Sequence, residues 1–153
     1  MNPFEDRLRL LGIELPPPRA PAFGYVPVVV ENGLAWVSGQ LPWTADGLMG
    51  KGRLGEAVDV ETGKAIARCC VLNGLSVLRE AIGTLDRVKR VVKLVGFVSS
   101  APGFYDQPAV VDGASHAIAE IFGEAGRHAR SAVGVAALPR DVPVEIEFVV
   151  SVE

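Results

Sequence analysis

Two residues near the C-terminus, Arg130 and Glu145, are chemically complementary. A guanidinium presents a rigid fork of N–H donors that holds a carboxylate through two parallel hydrogen bonds. A glutamate beside it takes a proton from water and directs the oxygen at an electrophilic carbon. Each residue stands at the start of a late β-rich run, so both are expected to point toward one end of a sheet, with Arg130 unpaired and open to an organic anion. The same residue types also form structural salt bridges at strand ends, and spacing alone does not separate the two readings.

The remaining reactive side chains are sparse. His116 falls within a helical pattern and His128 in a polar loop beside Arg127, and neither has a second histidine or a cysteine at ligand spacing, so no protein-built metal site is expected. Cys69 and Cys70 are adjacent within a helical run; their side chains diverge, and they are read as core thiols rather than a disulfide. Gly47, Gly50, Gly52 and Gly55 lack the strand-to-helix context of a dinucleotide fold, and no Gly-Lys-Ser/Thr phosphate loop occurs, so no cofactor is expected. Ser38-Gly39-Gln40 closes a strand; its glycine either bends the backbone or admits another group closely.

The elements that must position these residues follow from periodicity and punctuation. Asn2 as cap and Pro3 as first helical residue open a short helix over 2–11 with Phe4, Leu8 and Leu11 on one face, stopped by Gly12. Leu15 to Pro21 is a proline run expected to cross the surface in polyproline conformation. Residues 1–22 are therefore read as an N-terminal segment and 23–153 as the main domain. Tyr25 to Val30 and Leu34 to Val37 read as strands around the hairpin signal Asn32-Gly33. Gly47 to Gly55 reads as an exposed loop. Asp59 caps a long helix over 60–82 that Gly83 ends, and Val88 to Val98 is a β-branched strand. Asp106 and Pro108 open a second helix running to Gly123. Arg130 to Ala136 and Val144 to Val152 are the last two strands. The order is a short helix followed by ββαβαββ.

The chain has 153 residues, 49% hydrophobic and 22% charged, which suits one packed domain and excludes general disorder. Its net charge of −3 makes nucleic acid an unlikely partner. No stretch approaches the roughly 18 uninterrupted apolar residues of a membrane span, and the acidic N-terminus lacks an apolar leader core, so a cytoplasmic location without a membrane partner is expected. Two helices cover one face of a sheet. Val95 and Phe97 make the third strand apolar on its other face as well, so a second copy of the chain is the expected cover, with sites between copies.

At this point the residues resemble a known family. Gly24-Tyr25-Val26, Val37-Ser38-Gly39-Gln40-Leu41-Pro42, Ala129-Arg130-Ser131 and Leu138-Pro139-Arg140-Asp141-Val142-Pro143-Val144-Glu145-Ile146-Glu147 are similar to the successive signatures of the RidA family, also called YjgF/YER057c/UK114. The match runs in order from about residue 23 to 152. The resemblance implies an α+β, chorismate-mutase-like mixed sheet with two long helices on one face, assembled as a homotrimer with intersubunit clefts. It also implies cofactor-free hydrolytic deamination of small enamino or imino acids, like that of 2-iminobutanoate and 2-iminopropanoate. Carried over by position, Arg130 holds the substrate carboxylate, Glu145 orients the water, and Tyr25 and Ser38 line the cleft.

Where archetypal members have a cysteine two positions after the arginine, this chain has Ala132. The N-terminal segment, the Gly47–Gly55 loop and the Gly123–His128 loop are additional to the minimal family chain and resemble a longer subgroup. A noncatalytic binder of small carboxylates is the alternative reading. Endoribonuclease or translation inhibitor, labels the family often carries, fit the acidic chain less well, because Lys89, Arg90 and Lys93 form only one local basic stretch.

Overall fold

The computed structural model describes residues 3–153. A first helix, α1 (Phe4–Leu11), leads through the proline run to a hairpin of β1 (Val28–Glu31) and β2 (Leu34–Gln40). A small hairpin of β3 (Trp43–Thr44) and β4 (Gly47–Leu48) precedes the long helix α2 (Val60–Ile82). Then follow β5 (Val88–Ser99), α3 (Gln107–Phe122), β6 (Ala129–Val135) and β7 (Val144–Val152).

The five long strands form one sheet in the order β1-β2-β7-β5-β6. Only β5 and β6 pair in parallel; α3 supplies the crossover that a parallel pair requires. The last strand, β7, inserts antiparallel between β2 and β5 and so forms the centre of the sheet. The expected α+β architecture, with two long helices on one face of a mixed sheet, is what the chain adopts.

Alternation along β7 separates the two faces. Val144, Ile146, Phe148, Val150 and Val152 are buried under the helices, whereas Glu145, Glu147, Val149 and Ser151 point to the other side. Glycine permits close approach of the layers: a Cβ on Gly113 of α3 would stand 2.0 Å from the Lys64 carbonyl oxygen of α2, and one on Gly96 of β5 would strike Val111. Such contacts leave no room for a side chain. Among the described residues no helix covers the opposite face, which presents Trp36, Val149, Val95, Phe97 and Val133 as a largely apolar surface.

Local signals explain most element ends. The Asp59 carboxylate accepts a hydrogen bond from the Thr62 amide at 2.8 Å to cap α2, and Gly83 ends it. Asn32 and Gly33 both adopt the left-handed conformation that the β1–β2 turn needs. Some expectations are corrected. Pro3 occupies the cap position of α1 rather than the first helical position, and Asn2 lies outside the described residues. The first strand begins at Val28 rather than Tyr25, after Pro27. The glycine-rich stretch is not simply an exposed loop: Gly47 and Leu48 pair with Thr44 and Trp43, and Leu54 is fully buried, bridging to Ser100. The N-terminal segment packs on the same core as the rest, with Leu8 and Leu15 buried and Phe4 edge-on to Phe122 at 4.7 Å between ring centres.

Candidate active site

The irregular Ser38-Gly39-Gln40 end of β2 runs against the start of β7. The register between these strands shifts after Val37, so the glycine lies directly against the Glu145 side chain. A Cβ at Gly39 would stand 2.0 Å from Glu145 Oε2. This is the close approach that the glycine makes possible. The Glu145 carboxyl is partly buried and forms no ion pair among the described residues. Burial, and then the charge of Glu147, raise its pKa above the ordinary carboxylate value. A carboxyl so tuned is better matched to accepting a proton near neutral pH than a solvated one.

Glu145 faces a cavity of about 420 Å³ that Tyr25, Gln40, Trp43, Arg19 and Arg140 also line. Tyr25 comes from the coil before β1 and is half exposed. Ser38 does not line the cavity; its hydroxyl donates to the Val26 carbonyl at 2.9 Å and its own carbonyl accepts from Gln40 Nε2, so it braces the wall. Trp43 is held in place from α2, where the buried Asn73 donates to the Trp43 carbonyl oxygen at 3.0 Å. Two guanidiniums lie over its ring, Arg19 at 3.7 Å and Arg140 at 5.4 Å from the centroid. Arg19 is delivered by the stiff proline run, which Leu15 and a hydrogen bond from Ser76 to the Pro16 carbonyl fasten to α2.

Arg130 lies elsewhere in the chain. It pairs with Leu94 on β5 while Glu145 pairs with Phe97, and these two β5 residues face opposite sides of the sheet. Arg130 therefore points under α3, three residues further along β5 and two strands across from Glu145, well over ~10 Å away. The expectation that it is unpaired is corrected: Nη1 donates to Asp112 Oδ1 at 2.7 Å and to Ser115 Oγ at 3.2 Å, and Nη2 to the Pro108 carbonyl at 3.3 Å. The physical reason is strand alternation, which sends Arg130 and Ala132 toward the helix layer. His128 joins this cluster, its Nε2 3.0 Å from Ser115 Oγ and its Nδ1 2.6 Å from the Gly126 carbonyl. A second, shallow cavity of about 370 Å³ opens beside Arg130, His128 and His116.

Cys70 is fully buried with its thiol pKa pushed well up by burial, and Cys69 is raised for the same reason; both thiols are free. Among the described residues no group of three His, Cys, Asp or Glu side chains converges as a metal ion requires. No helix among them is long and apolar enough to cross a membrane.

Of the residues singled out from the sequence, Glu145 and Tyr25 line the Glu145 cavity and Arg130 and Ser38 do not; the role of Gly39 was left open, and Arg19, Trp43, Arg140 and Asp112 were not singled out. The signal for Arg19 was its place at the end of a stiff proline run. For Asp112 the chain offered only one of two acids, with Glu120, in a largely apolar helix.

Comparison with known proteins settles the family. Residues 5–146 match the family described as "YjgF/chorismate_mutase-like, putative endoribonuclease", and the chain belongs to it. It is 49% identical to Protein TCP17 of Trypanosoma cruzi over 144 residues, 94% of this chain and 90% of that protein. The structure of a putative endoribonuclease from Shewanella oneidensis MR-1 superposes with a TM-score of 0.95 at 32% identity, covering 99% of this chain and 100% of that one. Atu1372 of Agrobacterium tumefaciens, a protein of unknown function, gives 0.90 at 42% identity over 98% of this chain and 92% of its own.

Proposed function

We propose that the chain is a cofactor-free hydrolase of small enamino and imino acids, releasing ammonia and a 2-keto acid at clefts between copies in a homotrimer. The observation that carries this reading is Glu145: a partly buried carboxyl with a raised pKa and no cationic partner among the described residues, seated over Gly39 and facing a cavity. Water is the only co-reactant. Glu145 takes a proton from it as the oxygen attacks the C=N carbon and returns that proton to the nitrogen, giving a carbinolamine whose hydroxyl proton moves to the amine through the same carboxylate. Collapse of the carbinolamine then breaks the C–N bond, forms the C=O bond and expels ammonia. Holding the substrate rigidly removes much of the entropic barrier.

The carboxylate anchor in this reading is Arg130 of a neighbouring copy. Glu145 lies on the sheet face that no helix covers, so a copy seated on that apolar face supplies the missing wall of the cleft. Asp112 and Ser115 hold the guanidinium through Nη1 and the Pro108 carbonyl accepts from Nη2, which fixes its orientation; a substrate carboxylate in this reading competes with the long Nη2 contact. Cytoplasmic residence belongs to the same reading, and two free thiols suit a reducing compartment.

Ammonia release from imines generated by an amino-acid oxidase tests the activity. Wild type is expected to accelerate it, and Glu145→Gln and Arg130→Ala to lose most of the acceleration; equal rates in all three proteins overturn the proposal. One observation favours a second reading, binding without turnover: Arg130 is already engaged by Asp112. Tight 2-keto-acid binding with no turnover of any imine supports that reading. The net charge of −3 argues against RNA as substrate.

A further inference from the structure

The cavity lining carries two chemically distinct sets of groups. One is the Glu145 carboxyl. The other is Arg19 and Arg140 against the same Trp43 ring, with ring-centre distances of 3.7 and 5.4 Å. Neither guanidinium forms an ion pair among the described residues, and neither contributes to the shift of Glu145, whose causes are burial and Glu147. Two like charges on one indole repel each other, and an anion between or beside them offsets that repulsion. The backbone also commits Arg140 to this position: Arg140 and Asp141 both adopt left-handed conformations at φ 57° and 59°, which non-glycine residues rarely take without a reason. Arg19 comes on a proline run with little conformational freedom to lose. Both cations are thus pre-oriented toward a ligand rather than paired with an acid among the described residues.

We propose that Arg19 and Arg140, stacked on Trp43, form a second anion subsite, so that the cleft prefers substrates carrying a second anionic group, of the 2-imino dicarboxylate class, over imino monoacids. The inference rests on reading the Glu145 cavity as the reaction cleft. A carboxylate held at the α-carbon end leaves the side chain of the substrate to reach the arginine pair, and guanidinium forks suit a planar carboxylate.

Calorimetric titration of the full-length chain with 2-oxoglutarate and with 2-oxobutanoate tests it. The diacid is expected to bind at least roughly tenfold more tightly than the monoacid, the scale of one charge-assisted contact. That ratio should fall toward one in Arg19→Ala and in Arg140→Ala, both exposed positions, and stay at the wild-type value in Lys51→Ala, which removes an exposed cation outside the cavity. Equal binding of the two acids by wild type overturns the subsite. So does a ratio unchanged in both arginine variants, or one lowered as much by Lys51→Ala. Loss of all ammonia release with the diacid preference intact would remove the deaminase reading and keep the subsite. Ammonia release without a diacid preference would do the reverse.

Discussion

Gly39 and Glu145 are bound into one unit: the absence of a Cβ on the first is what allows the carboxyl of the second to occupy its position, since Oε2 would lie 2.0 Å from that carbon. Gly39→Ala must therefore displace the carboxyl, while the fold, whose core lies on the other face of the sheet, persists. Ammonia release is expected to fall by about a hundredfold, the scale of a catalytic group misplaced by an ångström. Parallel circular dichroism should show unchanged secondary structure. Full activity in a folded Gly39→Ala protein would detach the glycine from the chemistry.

The protonation of Glu145 has a consequence for stability. Its folded pKa is raised by burial and by Glu147, so between the ordinary carboxylate pKa and the folded one the native state binds more protons than the unfolded state. This contribution to stability is present below the unfolded value and is lost as pH rises through the folded value. Glu145→Gln is expected to melt at a higher temperature than wild type at pH 7, with the difference shrinking as pH is lowered through the carboxylate range. Melting curves across that range check the sign; a variant less stable than wild type at pH 7 contradicts it.

Asp112 and Arg130 tie α3 to β6 across 2.7 Å, with the arginine less exposed than the aspartate. Arg130→Ala is expected to cost about 1 kcal/mol of stability in urea titrations, since the pair is only partly shielded from water. Asp112→Asn separates roles. If the aspartate orients the guanidinium for a substrate carboxylate, KM for the imine rises while kcat changes little. A variant with unchanged KM assigns the pair to structure alone.

The uncovered sheet face predicts assembly. Trp36 is 53% exposed on that face in a single chain, beside Val149. Placing a charge there, as in Trp36→Glu, is expected to convert the proposed trimer to a monomer of 16.2 kDa in light scattering and to abolish activity together with it. A monomeric wild type, or a fully active monomeric variant, contradicts the intersubunit cleft.

Packing between the helices offers a separate check of the fold. Gly113→Ala forces a methyl onto the Lys64 carbonyl and is expected to destabilise the chain by about 1–3 kcal/mol, the usual range for overpacking, readable as a lower urea midpoint. Wild-type stability would place α2 and α3 further apart than the structure does.

Local rules made much of this chain legible. Asn32-Gly33 announces its hairpin, Asp59 and Gly83 bracket α2, and the alternation of β7 marks Glu145 as facing away from the core. What periodicity does not carry is which strands become neighbours. The insertion of β7 between β2 and β5 is set by long-range pairing, and it alone brings Gly39 to Glu145. Arg130 was legible as a residue of chemical interest, but its face of β6 was not, because the strand is short and mildly apolar on both sides. The stacking of Arg19 on Trp43 joins a proline run to a two-residue strand, and neither has a period to read.

The central claim is that Glu145 activates water against an imine, and a single comparison tests it most directly: the rate of ammonia release at pH 7 from a freshly generated 2-imino acid, with wild type and with Glu145→Gln at equal folded concentration. The account predicts clear acceleration by wild type and a loss of about a hundredfold or more in the variant. Equal acceleration by both proteins would contradict it.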